Sequence, residues 1–274
     1  MSAWLPAAPC TPGACVEQSR AAAAVPLAVL RLTAVAVLLL AAIAVVLTPL
    51  GRGRPRSRGR VPAVLVRHWC RWIVRAAGVR VRVTGAAAPP EGGLLLVANH
   101  VSWLDVPLLA AVRPARMLAK SDIRRWPVAG PLAARAGVLF IERDRLRALP
   151  DTVAAIAGAL RAGSAVGAFP EGSTWCGRAQ GRFRSAVFQA ALDAAVPVQP
   201  VRIRYRTGER AVSTAPAFVG EDTLFASLWR VVSARGLSAE VEVGPVIGPG
   251  RHPDRRSLAH AAQGKAPSKS MCAL

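Results

Sequence analysis

A histidine and an aspartate lie five residues apart, directly after a short apolar run. The run is Leu94–Ala98, and the two residues are His100 and Asp105. A hydroxyl group has a pKa far above 7, so it needs a base to become a nucleophile, and a histidine oriented by a carboxylate acts as that base near neutral pH. The sequence has no Gly-x-Ser-x-Gly motif to supply its own nucleophile. Direct attack by an acceptor hydroxyl on an activated acyl group is therefore the simplest chemistry.

The residues around this pair predict how the two side chains meet. Ser102 and Asp105 fit a capping box that opens a helix near residues 103–113. His100 then lies in the turn before the helix and Asp105 in its first turn, so the imidazole and the carboxylate can face each other. The alternative is that Asp105 only caps the helix and His100 is a hydrogen-bonded loop residue.

Three further segments place functional residue types at the ends of apolar runs. Arg143 ends one run, where a guanidinium can hold a phosphate by bidentate hydrogen bonds. In residues 169–173 (FPEGS), Glu171 supplies a carboxylate and Gly172 permits close approach of the backbone. Residues 196–201 (VPVQPV) form an apolar run interrupted by prolines, which predicts a bend.

Short apolar runs alternate with helical patterns from residue 79 onward. Strands are predicted at residues 79–83, 94–98, 138–141, 165–169 and 196–203, and helices near residues 103–113, 126–136, 151–162 and 184–194. Asp151 is the predicted N-cap of the third helix, and Gly163 follows its end. This alternation predicts an α/β fold with a mostly parallel central sheet covered by helices. In such sheets ligands bind beyond the carboxyl ends of the strands.

An uncharged apolar segment, Leu32–Leu50, precedes this pattern. As a helix its nineteen residues span roughly 28 Å, close to the thickness of a bilayer core. A signal peptide and a buried core helix are the alternatives, but the length and the weakly basic start favour a transmembrane helix over residues 25–50. Residues 51–60 follow with five arginines among Gly, Pro and Ser. Such a basic linker marks the cytoplasmic side, so we expect a single-pass protein of the cell membrane with a cytoplasmic catalytic domain.

The remaining boundaries follow from composition and periodicity. Residues 1–24 and 264–274 lack periodicity and are predicted to be disordered, which leaves residues 61–263 as the catalytic domain. At its start, Pro62–Ala77 predicts an amphipathic helix with tryptophans on one face and arginines on the other. Such a helix suits a membrane interface, although packing on the domain core is the alternative.

The net charge of +21 favours a polyanionic partner. The arginines flank an apolar segment and do not alternate with aromatic residues, which favours membrane lipids over nucleic acid. The five cysteines have no Cys-x-x-Cys pair, so neither a zinc site nor a disulfide framework is predicted, and a reduced compartment is the simplest interpretation.

Residues 99–105, 137–143, 169–173 and 196–201 together resemble, in order, the four blocks of the lysophospholipid acyltransferase family, of the 1-acylglycerol-3-phosphate acyltransferase type. The resemblance covers about residues 90–205. It implies an acyltransferase that takes its acyl group from acyl-CoA or acyl-carrier protein as co-substrate, with no cofactor and no metal. It also implies that His100 is the catalytic base and that Asp105 orients it.

The resemblance further implies that the polar end of the acceptor is bound by Arg143, Glu171, Gly172 and Ser173, and that residues 196–201 support the acyl side. The implied reaction acylates the hydroxyl of a lysophospholipid, with 1-acylglycerol-3-phosphate giving phosphatidic acid as the leading case.

One position departs from the family pattern. Thr174 stands where an arginine usually follows the third block. Arg178, Arg182 or Arg184 can substitute for that arginine. The departure keeps two alternatives open: a different acceptor, such as a lyso-aminolipid, and a non-catalytic protein that binds anionic membranes.

Overall fold

The apolar runs assemble into one sheet, which has eight strands in the described part of this computed structural model. The strands are β1 (Arg80–Gly85), β2 (Leu94–Ala98), β3 (Arg116–Lys120), β4 (Leu139–Ile141), β5 (Ala165–Ala168), β6 (Val198–Thr207), β7 (Ala211–Val212) and β8 (Leu237–Val243). Their order across the sheet is β1-β8-β6-β2-β5-β3-β4, with β7 paired to β6. The structure describes residues 8–17, 23–47, 63–89, 91–126, 129–142, 145–208 and 211–264.

Helices cover both faces of the sheet. In chain order they are α1 (Pro12–Cys15), α2 (Val25–Leu47), α3 (Ala63–Ala76), α4 (Asp105–Val112), α5 (Ala129–Arg135), α6 (Leu149–Arg161), α7 (Ala186–Asp193), α8 (Leu224–Ser233) and α9 (Arg255–Gln263). One apolar core joins the sheet to α3, α4 and α8. The other joins it to α6, α7 and α9.

The central strand β2 shows why the sheet needs both layers. All five of its residues are buried. Leu94, Leu96 and Ala98 enter the first core, whereas Leu95 and Val97 enter the second. Alternate side chains of a strand point to opposite faces, so an uninterrupted apolar strand requires cover on both sides. The predicted α/β class with a mostly parallel sheet is confirmed.

Strand direction collects several loops at one edge. β2 pairs in parallel with β5 and β6, β3 pairs in parallel with β5 and β4, and β8 runs antiparallel to β6. The segments after β2, β4 and β5 therefore leave the sheet on the same side. Those segments contain His100, Glu142 and Glu171.

The structure corrects two local predictions. In residues 196–201, Pro200 does not interrupt the strand, because β6 runs continuously from Val198 and includes Pro200. The antiparallel pairing of β6 with β8 begins only at the next residue, Val201, so the missing N–H of Pro200 leaves that ladder intact. Asp151 is not an N-cap, since α6 begins two residues earlier at Leu149.

The N-terminal segment packs against the domain. Residues 8–17, within the stretch expected to be disordered, contain the one-turn helix α1 and bury Cys10 and Cys15. The packing has a polar component, because the Glu17 N–H donates to Thr214 Oγ1 at 2.9 Å. The predicted basic linker at 51–60 and the tail at 265–274 lie outside the described residues.

The apolar helix α2 is attached to the domain along one face. Ala28 and Val35 are buried, and the helix contacts α8, α3 and α5. Arg31 Nη1 donates to the carbonyls of Val232 and Ala234, at 2.9 and 3.0 Å, where a cation also suits the carboxyl end of α8. The segment Val25–Val45 is long and apolar enough to cross a membrane, and only 11% of its most apolar window is buried. Most of this window is therefore not covered by the described part of the domain.

Both chain segments that flank α2 return to the same domain. On one side, the Ala23 N–H donates to the Ser233 carbonyl at 2.6 Å. On the other, α3 packs against α4 and α2 and leads into β1. The described segments on both sides of α2 thus contact one domain, and the single-pass topology stays a prediction.

Candidate active site

His100 and Asp105 meet at the carboxyl end of the central strand β2. His100 Nδ1 lies 2.8 Å from Asp105 Oδ2, as the spacing predicted. The His100 side chain is 20% exposed, whereas that of Asp105 is fully buried. A carboxylate only accepts hydrogen bonds, so this contact places the imidazole proton on Nδ1. Nε2 is then the ring nitrogen that can take a proton from a substrate.

The buried carboxylate of Asp105 accepts three more hydrogen bonds. The N–H groups of Val101 and Ser102 donate to Oδ2 at 2.6 and 2.8 Å. The phenol of Tyr205 donates to Oδ1 at 2.6 Å. Half of the predicted capping box therefore forms, because the carboxylate accepts the Ser102 N–H. The Ser102 hydroxyl accepts instead from the Leu104 N–H at 3.3 Å.

Tyr205 was not predicted from the sequence to belong to the site. It lies on β6, one hundred residues from Asp105, and is fully buried. Burial and the neighbouring charge of Asp105 hold the pKa of the phenol well above its usual range. Tyr205 therefore remains a hydrogen-bond donor to the carboxylate at every working pH.

Glu171 holds the backbone of the histidine loop. Its Oε2 accepts the His100 N–H at 2.7 Å and its Oε1 accepts the Gly181 N–H at 2.9 Å. Burial raises the pKa of this carboxyl to about 8, the charge of Asp105 adds to the effect, and the two backbone donors oppose it. Near neutral pH the carboxyl therefore exchanges between its protonated and ionised forms.

Two further contacts fix the His100 ring and its backbone. Phe169 stacks on the imidazole, with ring centroids 4.1 Å apart and an interplanar angle of 10°. The Trp175 N–H donates to the His100 carbonyl at 2.8 Å. The loop after β5 thus contacts both the side chain and the backbone of His100 in the loop after β2.

Asn99 ties the histidine loop to β6 and was also missed by the sequence analysis. Its Nδ2 donates to the Ile203 carbonyl at 2.9 Å, and its Oδ1 accepts the Ile203 N–H at 2.8 Å. The only local signal was a polar residue directly beside the histidine. Its partner lies 104 residues further along the chain.

Comparison with known proteins identifies the family. The sequence pattern of the acyltransferase family matches residues 80–204. A lyso-ornithine lipid O-acyltransferase of Pseudomonas aeruginosa is 39% identical over 201 residues, which cover 73% of this chain and 75% of that relative. A 1-acyl-sn-glycerol-3-phosphate acyltransferase of Neisseria meningitidis serogroup B is 36% identical over 208 residues, which cover 75% and 79% of the two chains. The chain belongs to the acyltransferase family.

A solved structure supports the same assignment at the level of the fold. The 1-acyl-sn-glycerophosphate acyltransferase PlsC from Thermotoga maritima superposes with a TM-score of 0.64 at 18% identity, covering 87% of this chain and 92% of that chain. The acyltransferase described here therefore shares its α/β architecture with that enzyme.

The other predicted binding residues of the acyltransferase lie around the loop after β5, except Arg143, which lies outside the described residues. Gly172 has a φ of +75° and closes a turn on the Phe169 carbonyl, a conformation that favours glycine. The Ser173 Oγ atom is buried and makes no hydrogen bond to a described residue. Ser173 lines neither of the two cavities next to this loop, so its contact with a substrate stays a prediction.

Two cavities of the acyltransferase adjoin this loop. One, of about 750 Å³, is lined by Glu171, Trp175, Arg182 and Arg184. The other, of about 300 Å³, is mostly apolar and is lined by Leu118, Glu142, Leu146, Phe169, Gly172 and Arg184, among others. Arg184 faces both cavities. Two of the three arginines proposed to replace the missing one thus border a cavity, whereas Arg178 forms an ion pair with Glu17.

We predict that Tyr205→Phe lowers kcat about tenfold with little change in KM, because Asp105 loses a buried donor and holds His100 less firmly. The free energy of unfolding of the variant should also be lower by about 1–3 kcal/mol. Steady-state kinetics and thermal unfolding measure the two effects. An unchanged kcat in a destabilised variant would limit Tyr205 to a structural role.

We also predict a pH dependence of stability from Glu171. Its pKa rises from 4.5 to about 8 on folding, so the folded state favours the protonated form. The stabilisation is complete below pH 4.5 and declines as the pH rises towards 8. The melting temperature of the wild type, relative to that of Glu171→Gln, should therefore fall over this window.

Glu221→Gln provides the control for exchange of a carboxyl group for an amide, because Glu221 is exposed. A pH-independent difference for Glu171→Gln would contradict the proposed protonation of Glu171.

Proposed function

We propose that this acyltransferase moves a fatty acyl group from acyl-CoA or acyl-carrier protein to the hydroxyl of a lysophospholipid, and that 1-acylglycerol-3-phosphate is its leading acceptor. The observation that carries the proposal is the 2.8 Å contact between His100 Nδ1 and the buried carboxylate of Asp105. Two of the relatives support the acceptor class, because they act on lyso-ornithine lipid and on 1-acyl-sn-glycerol-3-phosphate by name.

The residues support a single-displacement reaction. His100 Nε2 takes the proton of the acceptor hydroxyl while the hydroxyl oxygen attacks the thioester carbonyl. The tetrahedral intermediate collapses, the carbon–sulfur bond breaks, and the imidazolium returns its proton to the thiolate. Asp105 stabilises the transient imidazolium and fixes its tautomer. These steps require neither a cofactor nor a metal ion from the protein.

The two cavities suggest where each part of the substrates binds. The smaller, mostly apolar cavity next to Phe169 suits part of an acyl chain, and it adjoins the stacked His100 ring. The larger cavity contains Arg182 and Arg184, which suit a phosphate or a carboxylate. Arg143 lies outside the described residues and remains a further candidate for binding the phosphate, because a guanidinium forms bidentate hydrogen bonds with it.

A lyso-aminolipid is the second candidate acceptor. Thr174 takes the place of the usual arginine, and its hydroxyl donates to the Phe218 carbonyl. That position therefore offers the ligand no positive charge. The 39% identity to a lyso-ornithine lipid acyltransferase, beside 36% to a 1-acyl-sn-glycerol-3-phosphate acyltransferase, supports this second candidate.

The enzyme works at a membrane, and α2 is the proposed anchor. The arginines of residues 51–60 favour the cytoplasmic face of the cell membrane. α2 is one uninterrupted helix of 23 residues, and its contacts with α8, α3 and α5 hold this anchor against the domain. A single pass with the catalytic domain on the cytoplasmic side remains the proposed topology. Nucleic acid is not among the proposed partners.

We predict that His100→Ala lowers acyl transfer by about 10²–10⁴-fold, the usual contribution of a general base. Release of thiol from a long-chain acyl-CoA, with and without acceptor, measures the reaction. His68→Ala is the matched control, because His68 lies exposed on α3 outside the site. Near-normal turnover by His100→Ala would contradict the proposed role of His100 as the base. Lipid binding by the wild type without any consumption of acyl-CoA or acyl-carrier protein would favour the non-catalytic alternative.

We predict that Arg184→Gln raises the KM for 1-acylglycerol-3-phosphate by about tenfold or more, because a charge-assisted hydrogen bond to the phosphate is lost. The KM for a lyso-aminolipid without a phosphate should change much less. Arg251→Gln serves as the control, since Arg251 is exposed and borders neither cavity. An equal change in KM for both acceptors would argue that Arg184 does not bind the phosphate headgroup.

A further inference from the structure

Three cysteine side chains meet beneath the N-terminal segment. The sulfur atoms of Cys10, Cys15 and Cys176 all lie within 4.8 Å of one another. The three residues are 2%, 5% and 0% exposed, and the structure describes them as thiols. Two come from the segment that the sequence predicted to be disordered, and the third lies in the loop after β5, which contacts His100. The interpretation of the cysteines as scattered residues is therefore wrong for these three.

The fold holds the cluster in place from the N-terminal side. Thr11 caps the one-turn helix α1, and the Cys15 N–H donates to the Thr11 carbonyl at 3.0 Å, so Cys10 and Cys15 lie at the two ends of one tight turn. Gly220 packs against the Cys10 backbone, where an added Cβ would lie 3.2 Å from the carbonyl oxygen. The turn is therefore seated on the domain by contacts that do not involve the sulfur atoms.

The donor set fits a thiophilic metal ion. Zn²⁺ binds thiolate sulfur at about 2.3 Å in tetrahedral geometry, which sets the sulfur atoms about 3.8 Å apart. Sulfur atoms already within 4.8 Å reach that geometry by small rotations of their side chains. Burial also suits a structural site, because zinc coordination offsets the cost of placing thiolates in the protein interior.

We propose that Cys10, Cys15 and Cys176 bind a structural Zn²⁺ ion that fastens residues 8–17 to the loop after β5. The fourth coordination position is left to a water molecule or an added ligand. The site is separate from the acyl-transfer chemistry, which is assigned to His100 and Asp105. It therefore goes beyond the proposed function.

Such a site would position the catalytic loop. Trp175, the residue before Cys176, donates its N–H to the His100 carbonyl at 2.8 Å. Pro9, the residue before Cys10, lines the same cavity as Glu171 and Trp175. Zinc at the cluster would thus restrain the backbone on which the base depends and close one wall of that cavity.

Metal content of the full-length chain, purified in detergent, tests the proposal directly. We expect about one zinc ion per wild-type chain by elemental mass spectrometry, and less than about a tenth of that in Cys10→Ser and Cys176→Ser, because each removes one of three thiolates. Cys70→Ser is the matched control. Cys70 lies half-buried on α3, outside the cluster, so this variant should retain its zinc. Zinc retained by Cys10→Ser would overturn the site.

A spectroscopic measurement on the wild type does not depend on how the variants fold. Exchange of zinc for Co²⁺ should produce thiolate-to-cobalt charge-transfer absorption, with the d–d bands of a tetrahedral ion. Chelation should lower the melting temperature of the wild type by several degrees, because metal binding contributes to folding. Absence of both the charge-transfer band and zinc in folded protein would refute the proposal. A disulfide between any two of the three cysteines in the non-reduced protein would also refute it.

Discussion

The candidate site depends on one buried carboxylate. Asp105 has no exposed surface, and an unpaired charge in that position would cost several kcal/mol. Four donors satisfy it: the N–H groups of Val101 and Ser102, the Tyr205 phenol and His100 Nδ1. The turn supplies three of these donors, and the same conformation brings the imidazole against the carboxylate. The contacts that satisfy the buried charge of Asp105 therefore also orient the imidazole of His100.

The parallel sheet supplies the rest of the geometry. Since β5 and β6 flank β2, the loop after β5 brings Glu171 and Phe169 to His100, while β6 brings Tyr205 beneath Asp105. Among these residues, burial disfavours the ionised form of Glu171, because it raises the pKa of that carboxyl to about 8. Its two backbone hydrogen bonds bridge loops from different parts of the chain, which explains why a carboxyl group is kept in an unfavourable environment.

The sequence predicted the features that local pattern controls. β2 and the His100–Asp105 contact were predictable because an apolar run, a turn and a helix start lie within a dozen residues. Strand β3 was missed because it contains two charged residues, and Tyr205 and Asn99 were missed because their partners lie about a hundred residues away. The cysteine cluster was missed for the same reason, since spacing along the chain reveals nothing about Cys176 meeting Cys10. Only pairing across the sheet and packing of the N-terminal segment bring these groups together.

The apolar helix α2 and the site share a continuous set of contacts. Arg31 of α2 binds carbonyls at the end of α8, and Arg230 of α8 donates to the Ala217 carbonyl at 2.9 Å. The next residue, Phe218, donates its N–H to the Val101 carbonyl at 2.9 Å and accepts the Thr174 hydroxyl. Val101 and Thr174 lie in the two loops that hold His100. Because each link is a hydrogen bond within packed structure, α2 and the loops that hold the base have a fixed relative position, which a flexible tether would not provide.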